Sequence, residues 1–258
     1  MNKAIALEHR LRRCRNVHTL GVRPNFLDYT DDEIKAIRQA HKIYYPSVFY
    51  ADLFDAMGKA IFPSYHTYKC VQDKIKQTAL FQLLGIPHPL THVFYGKRCL
   101  EKIVRAFNFP LIAKIPRGSA LGRGVFLIHD EDQLTRYLGQ VPVAYIQEYL
   151  ALDRDIRIVV IGDRVVHAYW RLTPEGEHRS NVAVGGRISL DKVPEMARSL
   201  ALHTARSCGW NDVGIDICEH EGRYLVIEAN MKYGKEGFRL AGIDYTRLME
   251  ELIDNGAI

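Results

Sequence analysis

The stretch GIDICEHEGRYLVIEAN, from Gly214 to Asn230, places an aspartate and a Glu-x-Asn pair on two apolar, strand-like segments. Asp216 follows Val213 and Ile215. The turn residues His220-Glu221-Gly222 separate it from Tyr224-Leu225-Val226-Ile227, so a hairpin would bring Asp216, Glu228 and Asn230 together. Glu228 and Asn230 are two residues apart and share a face of an extended strand. Carboxylate and amide oxygens suit a hard cation such as Mg²⁺, which keeps several waters and completes its shell with substrate phosphates. The competing reading of the same residues is the wet face of a half-exposed hairpin.

Working outward, 258 residues with 47% hydrophobic and 25% charged content can bury a sizeable core in one large domain or two smaller ones. A net charge of +5 from 35 basic and 30 acidic residues comes without a block of like charges, so no nucleic-acid or membrane partner is expected. Cys14, Cys70, Cys99, Cys208 and Cys218 form no C-x-x-C pair, which suits structural thiols in a reducing cytoplasm. No run of 18 apolar residues could span a membrane. Ala4 to Leu7 is too short for a secretory signal and runs into Glu8-His9-Arg10-Leu11-Arg12-Arg13, read as a solvated basic face rather than a targeting segment.

Strand and helix signals alternate along the chain, so the fold class is α+β or α/β. Thr30-x-x-Glu33 is a capping box opening a helix to about Ala40, followed by a strand at 42–45 and a helix over 47–57. Gly58 and Phe62-Pro63-Ser64 read as a break, and a soft domain boundary falls near residue 65. Helices are expected over 73–84, 101–106, 131–138, 195–208 and 245–253, the last capped by Asp244. Strands are expected over 111–114, 124–128, 143–150, 155–162 and 165–171.

The strand at 111–114 ends in Lys114 and leads into the glycine-rich loop Arg117-Gly118-Ser119-Ala120-Leu121-Gly122-Arg123-Gly124. Glycines let backbone N–H groups approach phosphate oxygens, and a lysine adds a compact positive charge. It is not a Walker loop, because the lysine precedes the glycines. An ordinary hairpin loop remains the alternative. No H-E-x-x-H, four-ligand Cys/His pattern or G-x-S-x-G elbow points to a zinc or serine hydrolase site.

Taken in order, these pieces resemble the ATP-grasp superfamily, and within it the RimK-type carboxylate-amine ligases, over about residues 66–245. The motifs are Asp73-Lys74 with Leu83-x-Gly85-Ile86-Pro87-x-Pro89-x-Thr91, Pro110 to Lys114, Gly118 to Gly124, Gln147-Glu148-Tyr149, Asp155-x-Arg157, Arg171 with Arg179-Ser180-Asn181 and Gly185-Gly186, and Asp216 with Glu228 and Asn230. The resemblance implies an α+β ATP-grasp fold whose two subdomains grip ATP, at about 66–145 (small, nucleotide-gripping) and 146–258 (metal and substrate), behind a shortened N-terminal region, 1–65. The chain departs from the family in three places. The loop between Lys114 and Gly124 has one extra residue, the N-terminal region is short, and Met231-Lys232-Tyr233-Gly234-Lys235-Glu236-Gly237 replaces the usual small-small-Pro-Gly after Asn230. Tyr44-Tyr45-Pro46 and Phe49-Tyr50 match no motif and read as core.

What the resemblance implies is an ATP-dependent ligase that joins a carboxylate to an amine through an acyl phosphate, adding glutamate or another amino acid to a small molecule, peptide or protein terminus. Its cofactors would be ATP and Mg²⁺, or Mn²⁺ in its place. The metal ligands would be Asp216, Glu228 and Asn230. Lys74 and Lys114 would hold phosphates under the loop of Gly118, Ser119, Gly122 and Gly124. Gln147, Glu148, Tyr149 and Asp155 would hold adenosine, and Ser180 and Asn181 would join Arg179 at the nucleotide. Arg157, Arg171 and Arg179 are the candidates for binding the carboxylate and acyl-phosphate charge, although each could instead be a structural ion pair. A phosphotransferase, or a nucleotide-binding module without catalysis, are the alternatives.

Overall fold

The computed structural model describes residues 3–70, 72–96, 98–118, 124–174, 177 and 185–258. Ser119, Gly122, Arg179, Ser180 and Asn181 therefore lie outside the described residues.

The chain begins with a parallel sheet of β1 (Ala4–Ala6), β2 (Val17–Thr19), β3 (Lys42–Tyr44) and β4 (Ala60–Phe62), in the order β2-β1-β3-β4. Helices α1 (Asp31–Gln39) and α2 (Ser47–Ala56) link its strands. The capping box forms as expected: Thr30 Oγ1 accepts from the Glu33 N–H at 3.3 Å, and Glu33 Oε2 accepts from the Thr30 N–H at 2.8 Å. Alternation along the short strands divides their side chains between two cores. Ile5 and Ile43 pack with Ile37, Tyr50 and Phe54, whereas Ala6 and Tyr44 face the C-terminal half of the chain.

After α3 (Tyr65–Lys69) and α4 (Lys74–Leu84), the antiparallel strands β5 (Thr91–Phe94), β6 (Leu111–Lys114), β7 (Val125–Ile128) and β8 (Ala144–Glu148) form a sheet ordered β5-β8-β6-β7. Its helices α5 (Cys99–Ala106) and α6 (Glu131–Leu138) supply Ile103 and Leu134 to a core with Leu111, Ala113 and Ile146. Leu111 and Ala113 point into that core, so Lys114 emerges on the opposite face.

The third sheet is antiparallel and ordered β11-β10-β9-β12-β13, from β9 (Arg154–Ile161), β10 (Arg164–Leu172), β11 (Arg187–Ser189), β12 (Asp212–His220) and β13 (Arg223–Asn230). Helix α7 (Glu195–Ser207) covers one face, packing Ala197 and Ala201 on Ile156, Ile158, Val160 and Ile215. On the other face, Val159 and Ile161 share a core with Phe62 of the first sheet, Phe238 of α8 (Glu236–Leu240), and Met249 and Leu252 of α9 (Tyr245–Asp254). Asp244 caps α9 as expected, accepting from the Thr246 and Arg247 N–H groups at 2.8 and 3.2 Å. Strand β9 thus has one face that is apolar from Ile156 to Val160, while its other face changes from Asp155 and Arg157 to Val159 and Ile161.

Several boundaries shift. Asp73 is the N-cap of α4 rather than its first residue, accepting from the Lys76 N–H at 3.1 Å, and α5 begins at Cys99 rather than near 101. Strands β1, β2, β4, β5 and β11, each three or four residues long, add to the strands expected from the sequence. Tyr44, Tyr45 and Tyr50 are buried as the core reading expected, whereas Phe49 is 54% exposed. Among the described residues all five cysteines are free, and no helix is long and apolar enough to cross a membrane.

Candidate active site

The hairpin at 214–230 forms, and a bulge sets its register. Asp216 stands opposite Glu228, but Ile217 stands opposite Val226, so β13 holds one extra residue beside the two carboxylates. Asp216 is also opposite Arg157 on β9, which is opposite Tyr169 on β10. One row across four strands therefore reads Glu228, Asp216, Arg157, Tyr169. The next row pairs Asp155 with Arg171.

Like charges facing each other across a strand pair are unfavourable, and the neighbouring side chains compensate. Arg157 forks onto Asp216, with Nε on Oδ1 and Nη2 at 3.1 Å from Oδ2. Arg171 forks onto Asp155 at 2.7 Å for both bonds, and its Nη2 lies 3.0 Å from Asp216 Oδ2. Asn230 donates its amide N–H groups to Asp216 Oδ2 at 3.2 Å and to Glu228 Oε1 at 3.0 Å. Burial on its own would raise the Asp216 carboxyl, but Arg157 and then Arg171 hold it below its ordinary value. Arg171 is raised because Asp155 and Asp216 outweigh its desolvation.

Lys114 approaches this group from the second sheet. It is buried at 4% exposure, and that burial lowers its pKa, opposed most strongly by the nearby Glu228 and also by Asp216. Its Nζ lies 5.9 Å from the Tyr145 ring centroid, and the Tyr145 hydroxyl shares a 2.6 Å hydrogen bond with Thr78 on α4. Lys74 opens α4, close enough to Lys114 for the two cations to repel. Both ends of the glycine-rich loop are described. The Lys74 N–H donates to Pro116 O at 2.9 Å, and Arg117 Nε donates to Asp73 Oδ2 at 3.0 Å, so the loop departs directly over α4. Gly118 and Gly124 have φ of +70° and +77°, and a Cβ on Gly124 would meet Ile115 Cβ at 2.9 Å.

The structure therefore brings together Lys114, Asp155, Arg157, Arg171, Asp216, Glu228 and Asn230. Several of the residues expected from the sequence pair with one another in the structure. Asp155, assigned to adenosine, has both oxygens on Arg171 and orients that guanidinium. Arg157 and Arg171, assigned to substrate charge, each grip an aspartate, so their forks are fixed by ion pairs before any ligand is considered. Gln147 donates to Thr91 Oγ1 at 2.9 Å and Glu148 Oε1 accepts from the Leu90 N–H at 2.7 Å, so both side chains brace the start of β5. Tyr149 sits half-buried just past β8.

Three residues of the site escaped the sequence reading. Gln77 on α4 bonds the backbone of Ala229, between Glu228 and Asn230. Tyr145 lies under Lys114. Gly214 gives Arg157 room, since a Cβ there would lie 3.0 Å from Arg157 Cδ and 2.8 Å from Tyr233 Cβ. Of these, only the glycine inside an otherwise apolar strand gave a signal, because such a glycine marks a close approach.

Two carboxylates on one strand pair offer the hard oxygens that suit a magnesium ion sharing its shell with phosphates, and Asn230, whose amide N–H groups are on both carboxylates, would turn its oxygen inward to complete the set. The fold, the lysine on the facing sheet and this donor set lead to the comparison with known proteins. The RimK-like ATP-grasp domain matches residues 71–253. The chain belongs to the RimK-like ATP-grasp family. It is similar to a probable alpha-L-glutamate ligase of Nitrosococcus oceani, at 31% identity over 194 residues, and to the ribosomal protein bS6–L-glutamate ligase of Escherichia fergusonii, at 32% over 194 residues. Both alignments cover 72% of this chain and 64% of the relative, so the chain spans just under two thirds of the length of these RimK-like proteins. Beyond the RimK-like members, the ATP-grasp fold is shared with the D-alanine–D-alanine ligase of Bacillus anthracis in complex with ATP, at TM-score 0.71 and 14% identity, covering 98% of this chain and 96% of that one.

Proposed function

We propose that this protein is an ATP- and Mg²⁺-dependent carboxylate-amine ligase that forms an amide through an acyl phosphate. The observation that carries this reading is the approach of buried Lys114, on one sheet, to the Asp216, Glu228 and Asn230 cluster on another. A cation facing oxygen ligands across a cleft is the arrangement that transfer of a phosphoryl group between two anions requires.

A carboxylate is a poor electrophile. Its oxygen takes the γ-phosphoryl group, ADP leaves, and the amine then displaces phosphate to give the amide. Lys114 and Lys74 hold phosphate oxygens. Asp216, Glu228 and Asn230 would hold Mg²⁺, which would supply neutralising charge for the phosphates. Arg157 and Arg171, fixed by Asp216 and Asp155, present the remaining guanidinium N–H groups to the carboxylate. Arg179, Ser180 and Asn181 join the nucleotide and acyl-phosphate contacts by family resemblance, together with Gly118, Ser119, Gly122 and Gly124 of the loop. Residues 66–145 and 146–258 form the two gripping units, with 1–65 as the shortened leading region. The names of the relatives support glutamate as the amino acid added, and five free thiols support a reducing, cytoplasmic setting.

The test is to incubate the protein with ATP, Mg²⁺, a pool of carboxylic acids and hydroxylamine. ADP and a hydroxamate are expected. A stable phosphorylated alcohol without hydroxamate would assign the site to a phosphotransferase, and nucleotide binding without turnover would assign it to a binding module.

A further inference from the structure

Met231, Lys232 and Tyr233, directly after the ligand Asn230, line a cavity of ≈ 280 Å³ against the first sheet. His9 and Arg10 form its far wall, and the same two residues line a second groove of ≈ 480 Å³ between residues 9–13 and the start of α9. The two spaces thus share the His9–Arg10 wall. The second groove on its own lies in the size range of ligand pockets.

Arg10 is built into this wall. Its guanidinium carbon lies 4.7 Å from the Tyr233 ring centroid and 5.4 and 5.6 Å from those of Tyr45 and Tyr245. Nε donates to the Tyr245 hydroxyl at 3.1 Å and lies 3.8 Å from Asp212, whose carboxylate accepts from Tyr45 and Tyr233 at 2.8 and 2.6 Å. Nη2 of Arg10 is buried without a hydrogen-bond partner among the described residues. A buried guanidinium N–H in that state has a strong preference for an acceptor.

Arg12, Arg13 and Lys235 add three cations to the second groove. Among the described residues, no carboxylate lies within ion-pair distance of any of them. The nearby acids are already engaged: Glu236 pairs with Arg239, Asp244 caps α9, and Glu250 accepts from the Arg15 N–H. Lys235 has its pKa lowered, first by burial and then by Arg10, with Arg13 adding to the effect. Crowded cations of this kind gain from a bound anion.

We propose that this groove holds an anionic group, carboxylate or phosphate, that the acceptor substrate carries away from its reacting end. Arg12, Arg13 and Lys235 are the recognising groups, with Arg10 shaping the wall behind them. The proposal rests on the ligase reading for the word acceptor, because the groove lies behind the His9–Arg10 wall of the cavity that Met231, next to Asn230, lines. It also accounts for the unusual Met231 to Gly237 segment, which supplies Lys235 and part of the cavity wall.

The experiment uses the full chain saturated with the non-hydrolysable analogue AMPPNP and Mg²⁺, so that the nucleotide's phosphate site is filled. Triglutamate, trialanine and inorganic phosphate are then titrated by calorimetry into the parent and into the variant Arg13→Glu/Lys235→Glu. Binding of triglutamate or phosphate at about 1 mM or tighter is expected in the parent, weakened at least about tenfold in the variant, with trialanine bound more weakly than triglutamate. Triglutamate alone would identify acidic peptide side chains, and phosphate alone a phosphorylated acceptor. No binding of either anion to the parent, or equal affinity in parent and variant, overturns the proposal. AMPPNP affinity, measured separately, should be equal in both proteins. Its absence from the parent would sink the ligase reading while leaving the groove result standing. The neutral variant Lys235→Met, which cannot repel the anion, should weaken binding less than the charge reversal, and full loss of folding in the double variant shifts the decision to it.

Discussion

The side-chain amide of Gln77 hydrogen-bonds both backbone groups of Ala229, donating to its carbonyl at 2.9 Å and accepting from its N–H at 3.0 Å. In effect, one glutamine on α4 replaces the strand that would otherwise lie beyond β13, the outermost strand of its sheet. It fixes the residue between Glu228 and Asn230 to the helix that opens with Lys74.

Gln77→Leu should therefore lower stability by about 1–3 kcal/mol, because a buried N–H and C=O lose their partners. Turnover should fall by more than the unfolded fraction explains. Denaturant melts together with kcat at a temperature where the variant is folded would show this. Full activity per folded molecule would count against the coupling of α4 to β13.

Glu228→Gln keeps the shape of the side chain and removes a charge, so ATP turnover is expected to drop at least about tenfold if Glu228 holds Mg²⁺. Folding should change little, since Glu228 accepts a hydrogen bond from Asn230 but no guanidinium among the described residues pairs with it. A steady-state ADP assay across Mg²⁺ concentrations checks this, and unchanged turnover would falsify the ligand assignment.

Asp216 supplies a pH test. Its folded pKa is depressed below the ordinary value of 3.8, so its contribution to stability is present above 3.8 and is lost as pH falls through the lower folded value. Asp216→Asn, which leaves the forks of Arg157 and Arg171 without that carboxylate, should cost about 3–5 kcal/mol near neutrality. The gap between parent and variant should narrow in acid. Parallel melting curves from pH 7 downwards decide this, and a constant gap would be evidence against the ion pair.

Lys114 should behave in the opposite sense. Its folded pKa lies below 10.5, so the cost of burying its charge is present below the folded value and is relieved as pH rises towards 10.5. Relative to Lys114→Met, the parent should gain stability in alkali. The variant should bind ATP at least about tenfold more weakly, a change of about 1.4 kcal/mol. Equal ATP affinity in the two proteins would remove Lys114 from the nucleotide site.

Gly214→Ala places a methyl group 2.8 Å from Tyr233 Cβ and 3.0 Å from Arg157 Cδ. We expect a loss of about 1–3 kcal/mol from overpacking, and reduced turnover through displacement of Arg157. Thermal melts and kcat measured on the same preparation test both parts.

The sequence by itself determined the features encoded within a few neighbouring residues. The Thr30/Glu33 capping box, the Asp244 cap, the hairpin at 214–230 and the shared face of Glu228 and Asn230 follow from turn chemistry and strand alternation, and all are in the structure. The same local rules placed Lys114 at the end of a strand before a glycine-rich loop. Only the tertiary structure decided β1, β2 and β4 of the parallel sheet at the start of the chain, which gain their stability from packing rather than from periodicity. It also decided which groups meet over long separations. Gln77 and Ala229 are 152 residues apart, Tyr45 and Asp212 are 167, and Arg10 and Tyr245 are 235. Such contacts depend on how three sheets pack, and no local pattern specifies a partner that distant. For the same reason Arg157 and Arg171 were legible as charges near the site, whereas their anchoring by Asp216 and Asp155 became visible only once the strands were side by side.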